Sequence, residues 1–382
     1  MRFFHLSDLH IGLKLMNRDL REDQAYIFDR IAEYAKEYRP DAIVIAGDIY
    51  DKSIPSAEAV DLFDSFVQKL TQAAPEAEIM MISGNHDSAS RVNVFRNVLR
   101  RQRIHMIGMP PTAPEEFIEK VTLRDEYGPV HFYLLPFVRP SMVREITGYR
   151  EDGCALSYNE AVHKMIERET IEQSERNVLV SHQFYLPVGT DPDQVERMDS
   201  EIRTVGNIDE VRADVLAPFD YAALGHIHKP MKVGNELYRY CGTPLASSVS
   251  EQGQKKGVIM VDMAQKGQTT ASVLPLIPLH EVKVIRGALE DVVLSACDDY
   301  VTVILTDRAD LNVPDMQDRL REAFPRLLEI RRETAREAQY DISSGQLSRM
   351  PDPFDLCCSF YADITEEEKE LLRDIINSVQ GA

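Results

Sequence analysis

The sequence predicts an α/β fold, because short apolar runs rich in β-branched residues alternate with longer stretches whose apolar side chains recur at helical spacing. Several of the short runs end directly in glycine, aspartate, asparagine or histidine. The chain has 382 residues, of which 44% are hydrophobic, so it can bury two sizeable cores. We therefore expect a main domain built on β-strands and a smaller second domain.

The stretch 41–51, DAIVIAGDIYD, shows this arrangement most clearly. Residues 42–46 are apolar and rich in β-branched side chains, which is typical of a buried strand and too short for a helix. Gly47 permits a sharp turn and leaves Asp48 at the carboxyl end of the strand. Since ligands of open α/β sheets bind beyond the carboxyl ends of strands, Asp48 is a candidate site residue.

The same alternation extends along the chain. Further strands are predicted at residues 2–6, 78–83, 130–137, 177–181, 221–224, 237–240 and 258–262. Helices are predicted at residues 21–38, 56–70 and 159–173. Residues 186–214 carry proline, glycine and many charges without periodicity, and we interpret them as a long loop near the site.

Composition changes after the last of these strands. Residues 264–272 are small and polar, and Pro275 and Pro278 follow, so we place a domain boundary there. The predicted parts are a main domain over 1–275, an α+β domain over 276–335, and a linker with a C-terminal helix over 336–382. That helix, 366–379, begins with a capping box at residues 365–368.

Charge and cysteine content exclude several classes of protein. The net charge of −20 argues against a generally basic nucleic-acid coat, although a local basic patch or bound cations can still attract nucleic acid. No apolar run approaches the ~20 residues that a membrane span needs, and the chain opens on a strand rather than a signal peptide. Five cysteines without paired spacing indicate reduced thiols, so we expect a cytoplasmic protein.

Eight polar side chains of metal-binding types follow the predicted strands. They are Asp8, His10, Asp48, Asn85, His86, His182, His226 and His228. One such residue alone is more typical of a turn, a helix cap or a hydrogen-bonded polar group. Five segments with the same arrangement indicate a common site at one sheet edge. Imidazoles, carboxylates and one amide together suit Mn²⁺ or Fe²⁺, and zinc is also possible.

The number of candidate ligands indicates two ions rather than one. Seven ligands exceed what one ion takes, and a carboxylate can bridge two metals ~3.5–4 Å apart, as in hydrolytic sites that clamp a phosphate and activate water for in-line attack. The remaining histidine, His86, lies beside a ligand in the sequence. A side chain with a pKa near neutrality suits protonation of a leaving alkoxide.

The motifs, in this order, resemble the calcineurin-like metallophosphoesterase superfamily. They are D-x-H at 8–10, GD-x-x-D at 47–51, GNHD at 84–87, a histidine at 182 and GH-x-H at 225–228. Within the superfamily, the segments DLHIG, GDIYD, GNHDS, GHIHKP and CGTP are similar to the Mre-type double-strand-break repair nucleases and their bacterial exonuclease relatives. This resemblance implies a four-layer αββα sandwich, an α+β cap domain that contacts DNA, and a C-terminal helix that docks on a partner.

The resemblance also implies a role for each candidate residue. One metal would be held by Asp8, His10, Asp48 and His228. The other would be held by Asp48, Asn85, His182 and His226. Asp48 would bridge the two ions, Mn²⁺ would be the working metal, and His86 would act on the leaving group or on transition-state charge.

The activity implied by the resemblance is that of a DNA nuclease. It would hydrolyse double- and single-stranded DNA as a 3′-to-5′ exonuclease and endonuclease in repair, recombination and replication, although the residues themselves leave the polarity open. It would act as a homodimer with a long coiled-coil ATPase partner. Two other functions stay open: a small-molecule phosphodiesterase or phosphatase, and a non-catalytic clamp with structural metals. No ligand scheme needs His86, which disfavours the clamp.

Two positions depart from relatives in the superfamily. Asp51 stands where some archaeal and eukaryotic relatives carry a second active-site histidine. We interpret it as a support for the metal ligands, a control of strand rigidity, or a turn residue. Lys52 stands where phosphatase branches carry the arginine of GD-x-x-D-R-G, which argues against a Ser/Thr phosphatase.

Residues 88–103 hold five arginines and no acid in an otherwise acidic chain. Arg96, Arg100 and Arg103 fall at i, i+4 and i+7, on one face of a helix expected just after the His86 loop. We interpret this face as a track for DNA phosphates. A solvated face paired with acidic side chains is the alternative.

The predicted C-terminal helix carries one apolar stripe. Its members are Leu371, Leu372, Ile375, Ile376 and Val379. The stripe either docks on the coiled coil of a partner or packs on the small domain of the same chain.

Overall fold

Two six-stranded β-sheets packed face to face form the centre of the molecule in a computed structural model, which describes residues 1–190, 201, 209–307, 313–333, 354, 358 and 365–380. From edge to edge, the described strands of the first sheet are β16 (Thr269–Leu276), β15 (Lys256–Met263), β1 (Arg2–Leu6), β4 (Ala42–Ala46), β5 (Glu78–Ile82) and β6 (Ile104–Ile107). The last four are parallel, so their carboxyl ends lie at one edge of the sheet.

The second sheet has a parallel centre as well. From edge to edge, its described strands are β13 (Met231–Lys232), β14 (Tyr238–Tyr240), β12 (Tyr221–Gly225), β9 (Arg176–His182), β8 (Gly128–Leu135) and β7 (Glu119–Asp125). β14, β12, β9 and β8 run parallel. The register pairs Gly225 with His182, so β12 and β9 end side by side.

The two sheets bury a continuous apolar layer between them. Phe3, Val44 and Ile82 of the first sheet face Phe132 and Val180 of the second, and all five side chains are inaccessible to water. These strands are apolar on both faces because each sheet is also covered on its outer side.

Helices cover both outer faces and complete the layers. α1 (Arg21–Tyr38) and α2 (Ala57–Ala73) pack on the first sheet, whereas α5 (Arg144–Thr147) and α6 (Tyr158–Glu167) pack on the second. The Ser56 side chain caps α2 by accepting a hydrogen bond from the amide of Ala59. The predicted four-layer αββα sandwich is therefore confirmed.

A buried arginine joins the two sheets at the end opposite the parallel carboxyl ends. Arg176 donates to Asp125 and to the Gly128 carbonyl (2.7 Å) in the second sheet, and to the carbonyls of Met263 (3.2 Å) and Ala264 (2.9 Å) in the first. Its guanidinium holds the pKa of Asp125 well below the usual range. The amino-terminal edges of the sandwich are thereby tied together.

A third, parallel sheet follows the sandwich in the chain. Its described strands are β17 (Val282–Gly287), β18 (Tyr300–Leu305) and β19 (Leu327–Arg332), with α7 (Leu289–Val293) and α8 (Val313–Ala323) packed on them. The Tyr300 hydroxyl donates to Asp23 at the start of α1 (2.8 Å), and His280 Nδ1 lies 2.9 Å from the same carboxylate. Polar contacts therefore hold this sheet against the first helix of the sandwich.

Shorter elements complete the described structure. They are the hairpin β2 (Lys14–Leu15) and β3 (Arg18–Asp19), the parallel pair β10 (Phe184–Leu186) and β11 (Glu210–Arg212), and the helices α3 (Ala89–Val92), α4 (Arg96–Leu99) and α9 (Glu366–Gln380). The capping box of α9 is confirmed, because Glu368 accepts from the Thr365 amide (2.8 Å) and Thr365 Oγ1 accepts from the Glu368 amide (3.3 Å). Most of the predicted loop at 186–214, the linker up to residue 353 and the Val379 side chain lie outside the described part.

Three longer strands of the sandwich were absent from the prediction, and each has a local reason. β6 has four residues, β7 alternates charged and apolar side chains at a sheet edge, and β16 contains Pro275. The polar stretch 264–272, at which the domain boundary was predicted, includes the first residues of β16, which pairs along its whole length with β15. β16 is an edge strand, where polar side chains and a proline are tolerated.

No helix in the part of the chain that the structure describes is both long and apolar enough to cross a membrane.

Candidate metal centre

The carboxyl ends of the parallel strands of both sheets meet at one end of the sandwich, and the eight predicted side chains lie there. Asp8 and His10 follow β1, Asp48 follows β4, Asn85 and His86 follow β5, His182 ends β9, and His226 and His228 follow β12. The two edges are in direct contact, since His182 Nδ1 lies 2.8 Å from the Ala46 carbonyl oxygen of the facing sheet.

A first group of donor atoms gathers around His10 and His228. Their Nε2 atoms are 3.0 Å apart, and His228 Nε2 is 4.0 Å from Asp8 Oδ1. Burial lowers the pKa of both imidazoles well below the usual range, so both rings are neutral. Two neutral imidazole nitrogens beside a carboxylate oxygen are ligands that a divalent cation takes.

A second group gathers around Asn85. Its Oδ1 lies 2.9 Å from His182 Nε2 and 2.9 Å from His226 Nδ1. Burial lowers the pKa of His182, but the carboxylates of Asp48 and Asp8 outweigh it and raise that pKa to about 9. Since metal binding displaces protons from its ligands, a cation at Nε2 would replace the proton that these carboxylates retain.

Asp48 lies between the two groups. Its Oδ2 is 3.7 Å from His10 Nε2 and 3.3 Å from His182 Nε2, and the residue is 1% exposed. Burial opposes ionisation of Asp48, yet the surrounding imidazoles, His182 first, hold its pKa well below the usual range. This shared carboxylate and the donors on either side of it fit two divalent cations. The assignment of each ligand stays a prediction.

The backbone at this edge is strained. Asp8 (φ 51°), His10 (φ 42°), Asp48 (φ 49°) and His226 (φ 105°) all have positive φ, a region that non-glycine residues rarely adopt. Each such residue costs about 1–3 kcal/mol and persists only where the surroundings over-determine it. Sequence reasoning missed this feature, because none of these residue types signals a left-handed backbone at a given position.

Two glycines let the loops approach one another. A Cβ on Gly84 would lie 2.1 Å from Asp48 Oδ1, and one on Gly225 would lie 1.8 Å from the Ala46 carbonyl oxygen. Both positions require the absence of a side chain, since the neighbouring atoms belong to a buried carboxylate and to backbone.

His86 is held by two hydrogen bonds. Its amide donates to Asp48 Oδ1 (2.9 Å), and its Nδ1 lies 3.0 Å from the Asp51 carbonyl oxygen. Burial lowers the pKa of His86, but the Asp48 carboxylate and the Asp51 carbonyl outweigh it and raise that pKa. Asp51 also places its carboxylate 3.8 Å from His10 Nδ1. Among the interpretations of Asp51, this geometry favours support for neighbouring site residues.

Asp87 is a structural residue of the site that sequence reasoning missed. Its carboxylate accepts hydrogen bonds from the amides of Ile49 (3.0 Å), Tyr50 (2.9 Å) and Gly84 (2.9 Å). It therefore fastens the loop after β4 to the loop after β5. The signal in the sequence that could have identified Asp87 is its place as the final aspartate of the GNHD motif.

The prediction that Arg96, Arg100 and Arg103 lie on one continuous helix is wrong. Residues 88–103 form α3, α4 and a short 3₁₀ turn, with Phe95 (φ 62°) and Arg103 (φ 61°) in left-handed conformations that break the helical periodicity. Arg103 immediately precedes β6 at its amino end. Arg96 and Arg100 are exposed on α4 and on the turn that follows it. The continuous helical spacing that predicted a shared face is therefore absent.

Comparison with known proteins extends over most of the chain. A family model described as calcineurin-like phosphoesterase matches residues 1–230, and one described as type 5 capsule protein repressor C-terminal domain matches residues 278–365. The SbcD component of the nuclease SbcCD from Staphylococcus epidermidis is 30% identical over 335 residues, which cover 86% of this chain and 84% of that relative.

Two solved structures are similar at a lower level. A dimetal phosphatase from Danio rerio is 12% identical with a TM-score of 0.41, and the match covers 72% of this chain and 96% of that chain. GAP50, the anchor in the inner membrane complex of Plasmodium, is 11% identical with a TM-score of 0.43, and the match covers 86% of this chain and 96% of that chain.

The approach of Gly84 to Asp48 yields a test of the shared carboxylate. We expect Gly84→Ala to displace Asp48 and to weaken the binding of both ions by about 10-fold or more, measured by calorimetric titration with Mn²⁺. Gly287→Ala in the third sheet is the control, because its Cβ would meet Val292 Cγ2 at an ordinary 3.4 Å. Unchanged binding of two ions by Gly84→Ala would contradict a bridging Asp48.

Proposed function

Because this chain belongs to the calcineurin-like phosphoesterase family and, within it, to the SbcD-type subunits of SbcCD nucleases, as its motifs indicated, we propose that it is a metal-dependent DNA nuclease. It is a hydrolase of phosphoester bonds. The observation that carries the proposal is the position of Asp48, whose Oδ2 lies within 4 Å of nitrogens from two separate donor groups. A carboxylate so placed suits a dinuclear centre for phosphodiester hydrolysis.

The residues that would hold the ions form two sets, which share Asp48. One ion would be held by Asp8, His10, Asp48 and His228, and the other by Asp48, Asn85, His182 and His226. When bound, a pair of divalent cations, for which we propose Mn²⁺, neutralises phosphate charge and makes water a nucleophile near neutral pH. The chain itself contributes a buried, oriented set of donors that keeps its geometry without solvent reorganisation.

His86 is the proposed catalytic residue. Its Nδ1–H donates to the Asp51 carbonyl, which orients the ring and leaves Nε2 to hold the proton for the leaving oxygen. The amide of His86 donates to Asp48, so the ring is fixed relative to the shared carboxylate.

The proposed substrate is DNA, in single- and double-stranded form, cleaved by exonuclease and endonuclease action. The relative from Staphylococcus epidermidis carries the name of a nuclease component, which supports this class over a small-molecule phosphodiesterase. We propose an SbcC-type coiled-coil ATPase as the partner of α9. On that helix Leu371 (61%) and Ile375 (51%) are exposed, whereas Arg373 stacks on Phe354 with 4.5 Å between its guanidinium and the ring. Exposed apolar side chains on an amphipathic helix suit docking on a partner.

His86 provides the test of the nuclease proposal. Purified protein with Mn²⁺ is offered end-labelled duplex DNA, single-stranded DNA and a chromogenic phosphodiester, with and without the ATPase partner. We expect the unmodified chain to cleave DNA and His86→Ala to lose about 10²–10⁴-fold in kcat while it still binds two ions. His131→Ala, in the amino-terminal half of β8, serves as the matched histidine control.

The assay separates the alternatives directly. Cleavage of the chromogen with DNA left intact, even with the partner present, would replace the nuclease proposal with a small-molecule phosphodiesterase. No cleavage of either substrate with two ions bound would favour the non-catalytic clamp.

We further propose that Arg96 and Arg100 contact DNA phosphates. For the double variant Arg96→Glu and Arg100→Glu, we expect weaker DNA cleavage with unchanged chromogen cleavage. In a plot of the logarithm of the DNA-binding constant against the logarithm of salt concentration, the slope should become less negative by about 2, one unit for each lost phosphate contact. The control is Arg103→Ala, since Arg103 lies at the amino end of β6. Equal losses on DNA and chromogen would show that these arginines are structural.

A homodimer completes the proposal. Val94, Phe95 and Val98 are 52%, 73% and 61% exposed on α4 and the turn before it, and such an apolar patch suits pairing with a second copy. We expect the chain to sediment as a dimer and Phe95→Glu to sediment as a monomer. Tyr149→Glu, at another exposed aromatic, is the control. A monomeric unmodified chain would contradict the pairing.

A further inference from the structure

His228 is held at three of its atoms by groups outside the donor set. Its amide donates to Glu201 Oε1 (2.9 Å), and its carbonyl accepts from the Thr243 amide (3.2 Å) and from Lys256 Nζ (3.1 Å). Its Nδ1 lies 3.1 Å from Ser247 Oγ. Both the backbone and the ring of this candidate ligand are therefore fixed, in large part by the segment that begins with the CGTP motif.

Glu251 organises that segment. Its carboxylate accepts from Ser247 Oγ, the Ser247 amide (3.2 Å), Ser248 Oγ (3.1 Å), Thr243 Oγ1 (3.0 Å) and Lys256 Nζ (2.6 Å). Glu251 is 1% exposed and Lys256 6%. The ammonium group at 2.6 Å keeps the carboxylate ionised, so Glu251 accepts hydrogen bonds and donates none.

The direction of the hydrogen bonds follows from that charge. Since Glu251 only accepts, the single hydroxyl proton of Ser247 goes to Glu251. The Ser247 oxygen then accepts from His228 Nδ1–H, which leaves the lone pair of the ring on Nε2. The Nε2 atom is the one that lies 3.0 Å from His10 Nε2 and 4.0 Å from Asp8.

We propose that Ser247 and Glu251 are positioning residues, which hold His228 in the Nδ1–H tautomer and in the orientation that the Asp8–His10–His228 group needs to take a divalent cation. The inference rests on the dinuclear site proposed above. Partners on the outer nitrogen of a metal-binding histidine set its tautomer and its basicity.

Two other candidate histidines are oriented differently. His182 Nδ1 faces the backbone carbonyl of Ala46, so a main-chain group rather than a side chain controls its tautomer. His10 Nδ1 has no hydrogen-bond partner among the described residues, and the nearby carboxylate oxygen, Asp51 Oδ1, is 3.8 Å away. Of these three, His228 is the one whose outer nitrogen faces a hydroxyl backed by a carboxylate.

The energetic cost of this arrangement supports a positioning role. A buried ion pair such as Glu251–Lys256 adds little net stability compared with apolar side chains of similar volume, because both charges lose their hydration. Gly242 serves the same contact, since its φ is +74° and a Cβ there would lie 2.5 Å from the His228 carbonyl oxygen. The segment thus contains both a buried charge pair that adds little stability and a turn that requires glycine, and both contact the His228 carbonyl oxygen.

The first test measures the metal alone. Mn²⁺ is titrated into the full chain and followed by calorimetry and by the magnetic coupling of the bound ions. We expect Ser247→Ala to lower the affinity for one of the two ions by about 10- to 100-fold. The affinity for the other ion should stay within about twofold of that of the unmodified chain. Ser248→Ala is the matched control, because Ser248 Oγ also donates to Glu251 but its other hydrogen bond joins Ser250 rather than His228. Ser247→Thr, which keeps the hydroxyl, should restore binding.

The second test needs no metal. Long-range proton–nitrogen spectra of histidine-labelled chain report the protonated ring nitrogen, and His228→Gln identifies the His228 signals. We expect His228 to be protonated on Nδ1 in the unmodified chain and to become a mixture of tautomers in Ser247→Ala and Glu251→Gln. Melting temperature is recorded for each variant, so that a variant that does not fold is set aside in favour of the other.

The outcomes separate this inference from the proposed function. The positioning role would be overturned if Ser247→Ala bound two ions with unchanged affinity. It would also be overturned if the His228 tautomer were unchanged in both Ser247→Ala and Glu251→Gln. Either result would leave the nuclease proposal intact. An unmodified chain that binds fewer than two ions would overturn the dinuclear site, and the positioning proposal with it. An equal loss of affinity for both ions in Ser247→Ala would overturn the positioning role as well, because it would show that the segment only maintains the fold.

Discussion

A carboxylate that water cannot reach constrains the whole structure. Asp48 is 1% exposed, and an ionised group in that position is stable only where protons, backbone amides or cations compensate its charge. Imidazoles from both sheets and the amide of His86 surround it. The sandwich therefore has to bring the ends of β1, β4, β5 and β9 to one place, and the packing of the two sheets achieves this.

The strained loops persist because they continue to pair beyond the regular strands. The amide of Asp8 donates to the Gly47 carbonyl, and that of His10 donates to the Asp48 carbonyl, both at 3.0 Å. These bonds extend the contact between β1 and β4 into the site and stabilise left-handed residues that would be unfavourable alone. Asp87 closes the arrangement from the β5 side through three amides. Rigidity at the site thus comes from backbone hydrogen bonds on several loops.

The third sheet contacts the sandwich at residues that neighbour the site. Asp23 accepts from Tyr300, while the next residue, Gln24, donates to the His10 carbonyl (2.8 Å). Leu245, from the segment that supports the second histidine of the same donor group, packs in one apolar cluster with Tyr300. The supports of both histidines are therefore adjacent to the third sheet.

Local patterning in the sequence was enough to identify the side chains of the candidate site, because a strand, a turn and the polar residue that follows are read from a few adjacent positions. It also identified α1, α2 and the capped start of α9, whereas the four layers came from the motif resemblance. The motif resemblance implied the shared position of Asp48. Two features emerged only from the folded chain: four site residues adopt positive φ, and Glu251 supports His228 through Ser247. The folded chain also divides the arginine segment into short helices. These features depend on contacts between residues far apart in the chain, which local periodicity does not encode.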